Sequence, residues 1–160
     1  MTTYTARPID PTVLKELRSA DDAGRRMVPV IDEEGGAPLR CCLRRSEPGE
    51  RIALVSYAPL RRWAAEAGAY DEVGPVFVHA EECGGPAAGS GYPFAGAHRV
   101  LRRYSAEGHI LGGELVDTLD DDAFRRAFDD PSVALVHVRA VEYGCFLCEV
   151  QRPKISPSGV

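Results

Sequence analysis

Short β-rich segments joined by tight turns run through most of this chain, and that pattern makes antiparallel pairing the main way to build its sheet. VFVHAEE (76–82) is a strand by its β-branched and aromatic content. HRVLRRYS and HILGGELVD flank Ala106-Glu107-Gly108, and SVALVHVRAV and GCFLCEVQR meet across Tyr143-Gly144, so each pair predicts a hairpin. A further hairpin is expected where LRCCLRR (39–45) returns as RIALVSY (51–57). Between them, Pro48 and Gly49 take the central positions of a type II turn.

Helices are few. Asp10 is placed to cap a helix with Pro11 in its first position, followed by Val13, Leu14, Leu17 and Ala20 at helical spacing. A second, short helix is expected from Pro59, carrying Leu60, Trp63, Ala64 and Ala67 on one face. Asp120 caps a third, whose apolar stripe is Ala123, Phe124, Ala127 and Phe128. Three helices cannot supply the crossovers of a parallel sheet. The expected fold is therefore α+β, a mainly antiparallel, curved sheet built from hairpins with about three short helices on one face. It forms a single domain over residues 1–153, followed by a mobile tail at 154–160.

A formal charge of −5 argues against a nucleic-acid binder. No run of about 18 apolar residues is present to span a membrane. The amino terminus, MTTYTARPIDP, lacks the apolar core of a signal peptide, so the expected location is cytoplasmic. Five cysteines, an odd number, fit free thiols better than a disulfide framework.

Strand alternation sorts the chemistry-bearing residues by face. Val76, Val78 and Ala80 form one face, and Phe77, His79, Glu81 and Cys83 the other. Ala134, Val136, Val138 and Ala140 oppose Leu135, His137, Arg139 and Val141. In LRCCLRR, Cys41 shares a face with Leu43, and Cys42 lies with Arg40 and Arg44. The polar faces are either a solvated outer surface or the lining of a pocket. The apolar residues interleaved among them favour the pocket, which requires His79 and His137 to be buried.

On that reading Cys42, His79, Cys83 and His137 are the catalytic candidates. Arg139, Glu81, Tyr143 and Cys145 are the ligand-binding ones. Cys42, His79 and Cys83 with either His137 or Cys145 could surround a zinc or copper ion, or a Cys–His nucleophilic pair could use Glu81 to orient its imidazole. Cys145 and Cys148 form a C-x-x-C, but inside a strand that spacing sends the side chains to opposite faces, and Cys148, like Cys41, reads as core. A buried Arg139 needs an anionic partner, either Glu81 or Glu142 or a ligand's carboxylate or phosphate. The glycine-rich loop CGGPAAGSGYPFAG (83–96) has no phosphate-cradling motif and reads as a lid over the pocket.

PLRCCLRRSEPGE, LVSYAPLRRW, YDEVGPVFVHAEEC and VHVRAVEYGCF occur here in that order. With them the chain resembles a bacterial family, domain-of-unknown-function family 1203, from Ala6 to Pro153. The resemblance implies that Cys42, His79, Cys83, Tyr143 and Cys145 occupy family-like motif positions. At Cys148 the family more usually has an aromatic residue, and no catalytic role is carried over. The leading expectation is a small pocket protein, an enzyme acting on a small anionic organic molecule through a Cys/His/Arg site. The alternative is a non-catalytic metal- or redox-responsive binding protein using the same thiols and histidines, and a third is an accessory domain held to a partner by an apolar patch.

Overall fold

Asp10 accepts a hydrogen bond from the Thr12 N–H at 2.8 Å, and Pro11, which has no N–H to satisfy, begins α1 (Pro11–Ser19). The remaining elements of the computed structural model, which describes residues 2–89 and 91–154, follow in chain order. They are β1 (Val30–Asp32), β2 (Glu50–Tyr57), β3 (Gly74–His79), β4 (Arg99–Tyr104), β5 (Ile110–Val116), α2 (Asp121–Ala127), β6 (Leu135–Ala140) and β7 (Phe146–Gln151). Short 3-10 turns at Pro59–Arg62 and Gly68–Tyr70 stand where the second helix is expected, so the helical count is two.

The strands make two antiparallel sheets rather than one. The first has the order β1-β2-β3 and the second β5-β4-β6-β7. The fold is α+β. Each helix covers one sheet. Leu14 and Leu17 of α1 pack with Ile52, Val55, Val76 and Val78, while Ala123, Phe124 and Ala127 of α2 pack with Leu101, Val136 and Val138. Phe146 of β7 belongs to the first core and meets Tyr57 with ring centroids 5.5 Å apart, which joins the sheets. The apolar strand faces read from alternation are the covered ones: Val76, Val78, Val136 and Val138 are all buried. The β4–β5 and β6–β7 hairpins form as expected, and Asp120 caps α2 by accepting from the Ala123 N–H at 2.8 Å.

LRCCLRR is not a strand. Residues 38–45 form a tight loop closed by the Pro38–Arg45 bridge and by the Leu43 N–H, which donates to the Leu39 carbonyl at 2.9 Å. The partner of β2 on that side is β1, a three-residue strand that its length hides in the sequence. The type II turn at Pro48-Gly49 does form, with Gly49 at φ 90°, and it leads into β2 rather than closing a hairpin of the expected strands. Among the described residues, no helix is long and apolar enough to cross a membrane. The expected mobile tail at 154–160 lies outside the described residues except for Lys154.

Candidate functional site

The loop at 38–45 creates the site. Leu39 is fully buried and bridges to Phe77, and the Arg40 N–H donates to the Phe77 carbonyl at 2.9 Å, so the loop is docked along β3. Leu43 then adopts φ 57°, a left-handed conformation that a leucine takes at some energetic cost. In a strand Cys41 and Cys42 would diverge. In this turn their sulfurs lie 3.9 Å apart and both face the His79 ring.

His79, the last residue of β3, places Nδ1 3.4 Å from Cys41 Sγ and 3.8 Å from Cys42 Sγ. Cys83, at the start of the glycine-rich loop, completes a group of four whose donor atoms all lie within 4.8 Å of one another. Cys41, Cys42 and His79 are buried and Cys83 is half-buried. The His79 backbone N–H donates to Cys41 Sγ at 3.2 Å. On the ring's other side Nε2 meets Glu50 Oε2 at 2.8 Å, and Glu50 is gripped by both terminal nitrogens of Arg44 at 2.9 Å. The hydrogen bond from the Cys41 thiol holds the Cys42 thiol below its ordinary value, helped by the Arg44 backbone N–H and guanidinium, against the upward push of burial. The same hydrogen bond, together with burial, pushes Cys41 up. Arg44 keeps Glu50 well below the ordinary carboxylate range.

Three of the expected residues, Cys42, His79 and Cys83, are thus brought together. His137 is not among them. It is fully buried on β6, in the second sheet, between Tyr104 and Phe146 at 4.7 and 4.9 Å, with Nε2 3.2 Å from Glu149. Both histidines are buried, as a pocket requires, yet they belong to different sheets and contact different partners. Strand alternation cannot reveal that difference.

Glu81 is exposed and pairs with Arg51 at 2.7 Å, so the carboxylate beside the His79 imidazole is Glu50 instead. Arg139 donates to the Gly144 carbonyl at 2.8 Å and lies 3.4 Å from Glu72; neither Glu81 nor Glu142 is its partner. Tyr143 and Cys145 line a separate cleft between the sheets, where Arg40 and Arg99 are also found. Cys148 is buried in the second core, as its strand position predicts. The glycine-rich loop is pinned at its far half: Tyr92 donates to Asp121 at 2.5 Å, and Phe94 accepts from Arg99 through its carbonyl at 3.0 Å.

Cys41, Glu50 and Arg44 are the site residues that the strand reading of LRCCLRR does not find. Their signal is the absence of any β-branched residue in that segment, which weakens it as a strand and leaves a turn open.

The donor set fits a soft cation. A zinc–sulfur bond of about 2.3 Å puts neighbouring tetrahedral ligands about 3.8 Å apart, and the separations among Cys41, Cys42 and His79 are close to that edge. No curated protein and no solved structure gives a significant match. Residues 36–152 match the model of a family described as "Protein of unknown function (DUF1203)", and the chain belongs to that family.

Proposed function

We propose that the protein is a metal-binding protein that holds one zinc ion through Cys41, Cys42, His79 and Cys83. The observation that carries this reading is the convergence of one imidazole nitrogen and three sulfurs within 4.8 Å of one another. Three thiolates and an imidazole are a soft, closed tetrahedral set, which favours zinc over magnesium or calcium and leaves no position for substrate. Glu50 supports the same reading, because a carboxylate on the outer nitrogen fixes the imidazole's tautomer and direction.

The ion would join three separate pieces of chain: the 38–45 loop, the end of β3 and the first residue of the glycine-rich loop. Its role is therefore structural or responsive. Occupancy sets the position of Cys83 and of the loop that follows it.

The catalytic reading rests on the same groups, with Cys42 as a thiolate nucleophile beside a His79–Glu50 pair. Cobalt substitution separates the two. Tetrahedral binding gives thiolate-to-cobalt charge-transfer bands and intense d–d bands at one equivalent, and Cys83→Ser weakens the charge-transfer bands. A spectrum of six-coordinate cobalt, or one that is the same in Cys83→Ser, would overturn the metal reading. Rapid alkylation of Cys42 that added zinc does not slow would favour the catalytic one.

A further inference from the structure

A second site stands apart from the Cys41, Cys42, His79 and Cys83 cluster. Between the two sheets lies a cleft of about 410 Å³, with Leu54 and Phe77 on one wall and Leu147 on the other. Leu54 and Phe77 are a cross-strand pair on one face of the first sheet, and Leu54 is 56% exposed. Tyr143, 89% exposed, stands at the mouth. Contiguous exposed apolar side chains rimmed by polar ones are a feature of ligand-binding grooves.

The cleft also holds two buried arginines. Arg40 is 3% exposed and Arg99 4% exposed. Arg40 donates only to carbonyls, those of Phe146 at 2.7 Å and Pro38 at 2.5 Å. Arg99 likewise donates to the carbonyls of Phe94 at 3.0 Å and His98 at 3.1 Å. Among the described residues no carboxylate stands within ion-pair distance of either. Arg45 adds a third positive charge at the rim, and Glu142, also in the lining, is paired with none of them. Glu142 favours the charged form of Arg99 through space, but neither buried guanidinium has an ion-pair partner, a costly arrangement that a bound anion relieves.

We infer that this cleft binds a small organic anion, a carboxylate or phosphate ester with an apolar body, held by Arg40 and Arg99 at its charged end and by Phe77, Leu54 and Leu147 along its length. Tyr143 closes over the body from the mouth. The carbonyl bonds hold both guanidinium planes in place, so an arriving anion meets donors already oriented. Burial pushes Arg40 down to about 10, which still leaves it fully charged at neutral pH. The inference is independent of the metal: its residues are not ligands, and each site can fail without the other.

Calorimetric titration of the zinc-loaded full-length protein with phenyl phosphate, benzoate and the neutral benzyl alcohol tests it. Phenyl phosphate or benzoate is expected to bind at least about tenfold more tightly than the alcohol, since a charge-assisted hydrogen bond is worth that factor. Arg99→Gln should weaken anion binding by about tenfold or more and leave zinc content unchanged. Arg45→Gln, at the exposed rim, should weaken it by about threefold, with a salt dependence to match. Equal binding of acid and alcohol would overturn the inference. So would no binding of either anion, or wild-type anion affinity in the Arg45→Gln protein and in a folded Arg99→Gln protein.

Discussion

Glu50 Oε2 lies 2.8 Å from His79 Nε2, which leaves Nδ1 to face the sulfurs of Cys41 and Cys42. An acceptor on one ring nitrogen makes it the donor and fixes the other as a lone pair. The His79 ring is therefore held with Nδ1 towards the thiols. Arg44 holds Glu50 in turn through two parallel hydrogen bonds, a geometry that lysine could not reproduce.

Glu50→Gln keeps the shape of that contact and removes its charge. Zinc affinity should fall by about 10- to 100-fold, the usual effect of losing an outer-shell partner. Competition against a chromogenic chelator measures it. Unchanged affinity would mean that Glu50 serves only Arg44.

His137 and Glu149 predict an acid-sensitive contribution to stability. Burial pushes His137 below its ordinary 6.5, despite Glu149. For Glu149 burial pushes upward, but the His137 and Gln151 hydrogen bonds and Arg7 outweigh it and leave it below its ordinary 4.5. Both folded values lie below the unfolded ones, so the unfolded chain binds more protons in acid. This stability is complete above 6.5 and is lost as the pH falls, first through His137 and then, below 4.5, through Glu149. Glu149→Gln should be less stable than wild type by about 1–2 kcal/mol near neutral pH, with the gap closing in acid. Urea unfolding of both chains across that range checks it, because metal loss in acid is common to the two. A gap that stays constant with pH would contradict the assignment.

Gly35 fixes the entry to the 38–45 loop. It sits at φ +76°, and a Cβ there would meet Pro48 Cδ at 2.9 Å and the Ser46 carbonyl at 3.0 Å. Asp32 accepts from the Gly35 N–H at 3.0 Å and from the Ser46 hydroxyl, so this stretch frames residues 37–46. Gly35→Ala should cost more than about 1 kcal/mol, since strain and crowding act together. Gly36→Ala, with a similar φ but open space around it, should cost less. Equal losses in thermal unfolding would show that backbone strain alone is at work.

Local signals in the chain were strong where they were complete. Asp10-Pro11 and Asp120 each carry a cap and an apolar stripe within one short segment, and both helices form there. The β4–β5 and β6–β7 hairpins are legible because alternation and turn residues agree. The His137–Glu149 pair follows from the register of β6 on β7, in which those two residues lie opposite each other. The loop at 38–45 is not legible in the same way. Reading 39–45 with a period of two sends Cys41 and Cys42 apart, whereas the turn they occupy, which ends with Leu43 at φ 57°, brings them together. Nothing local announces a leucine in that conformation; the buried anchor Leu39 and the docking along β3 impose it. Alternation likewise assigns His79 and His137 to polar faces without telling which sheet each strand joins. That depends on the β2–β3 and β4–β6 pairings, which join strands separated by long stretches of sequence.

Zinc content together with thiol accessibility decides whether Cys41, Cys42, His79 and Cys83 hold one zinc ion. Protein purified without an affinity tag, dialysed and then given zinc should retain one ion per chain. Its Cys41, Cys42 and Cys83 should resist a thiol reagent that still reaches the half-buried Cys145. Cys148→Ser should keep the ion, while His79→Gln and Cys83→Ser should lose it or bind it far more weakly. Substoichiometric zinc after reconstitution, or full zinc retention in both His79→Gln and Cys83→Ser, would contradict the account.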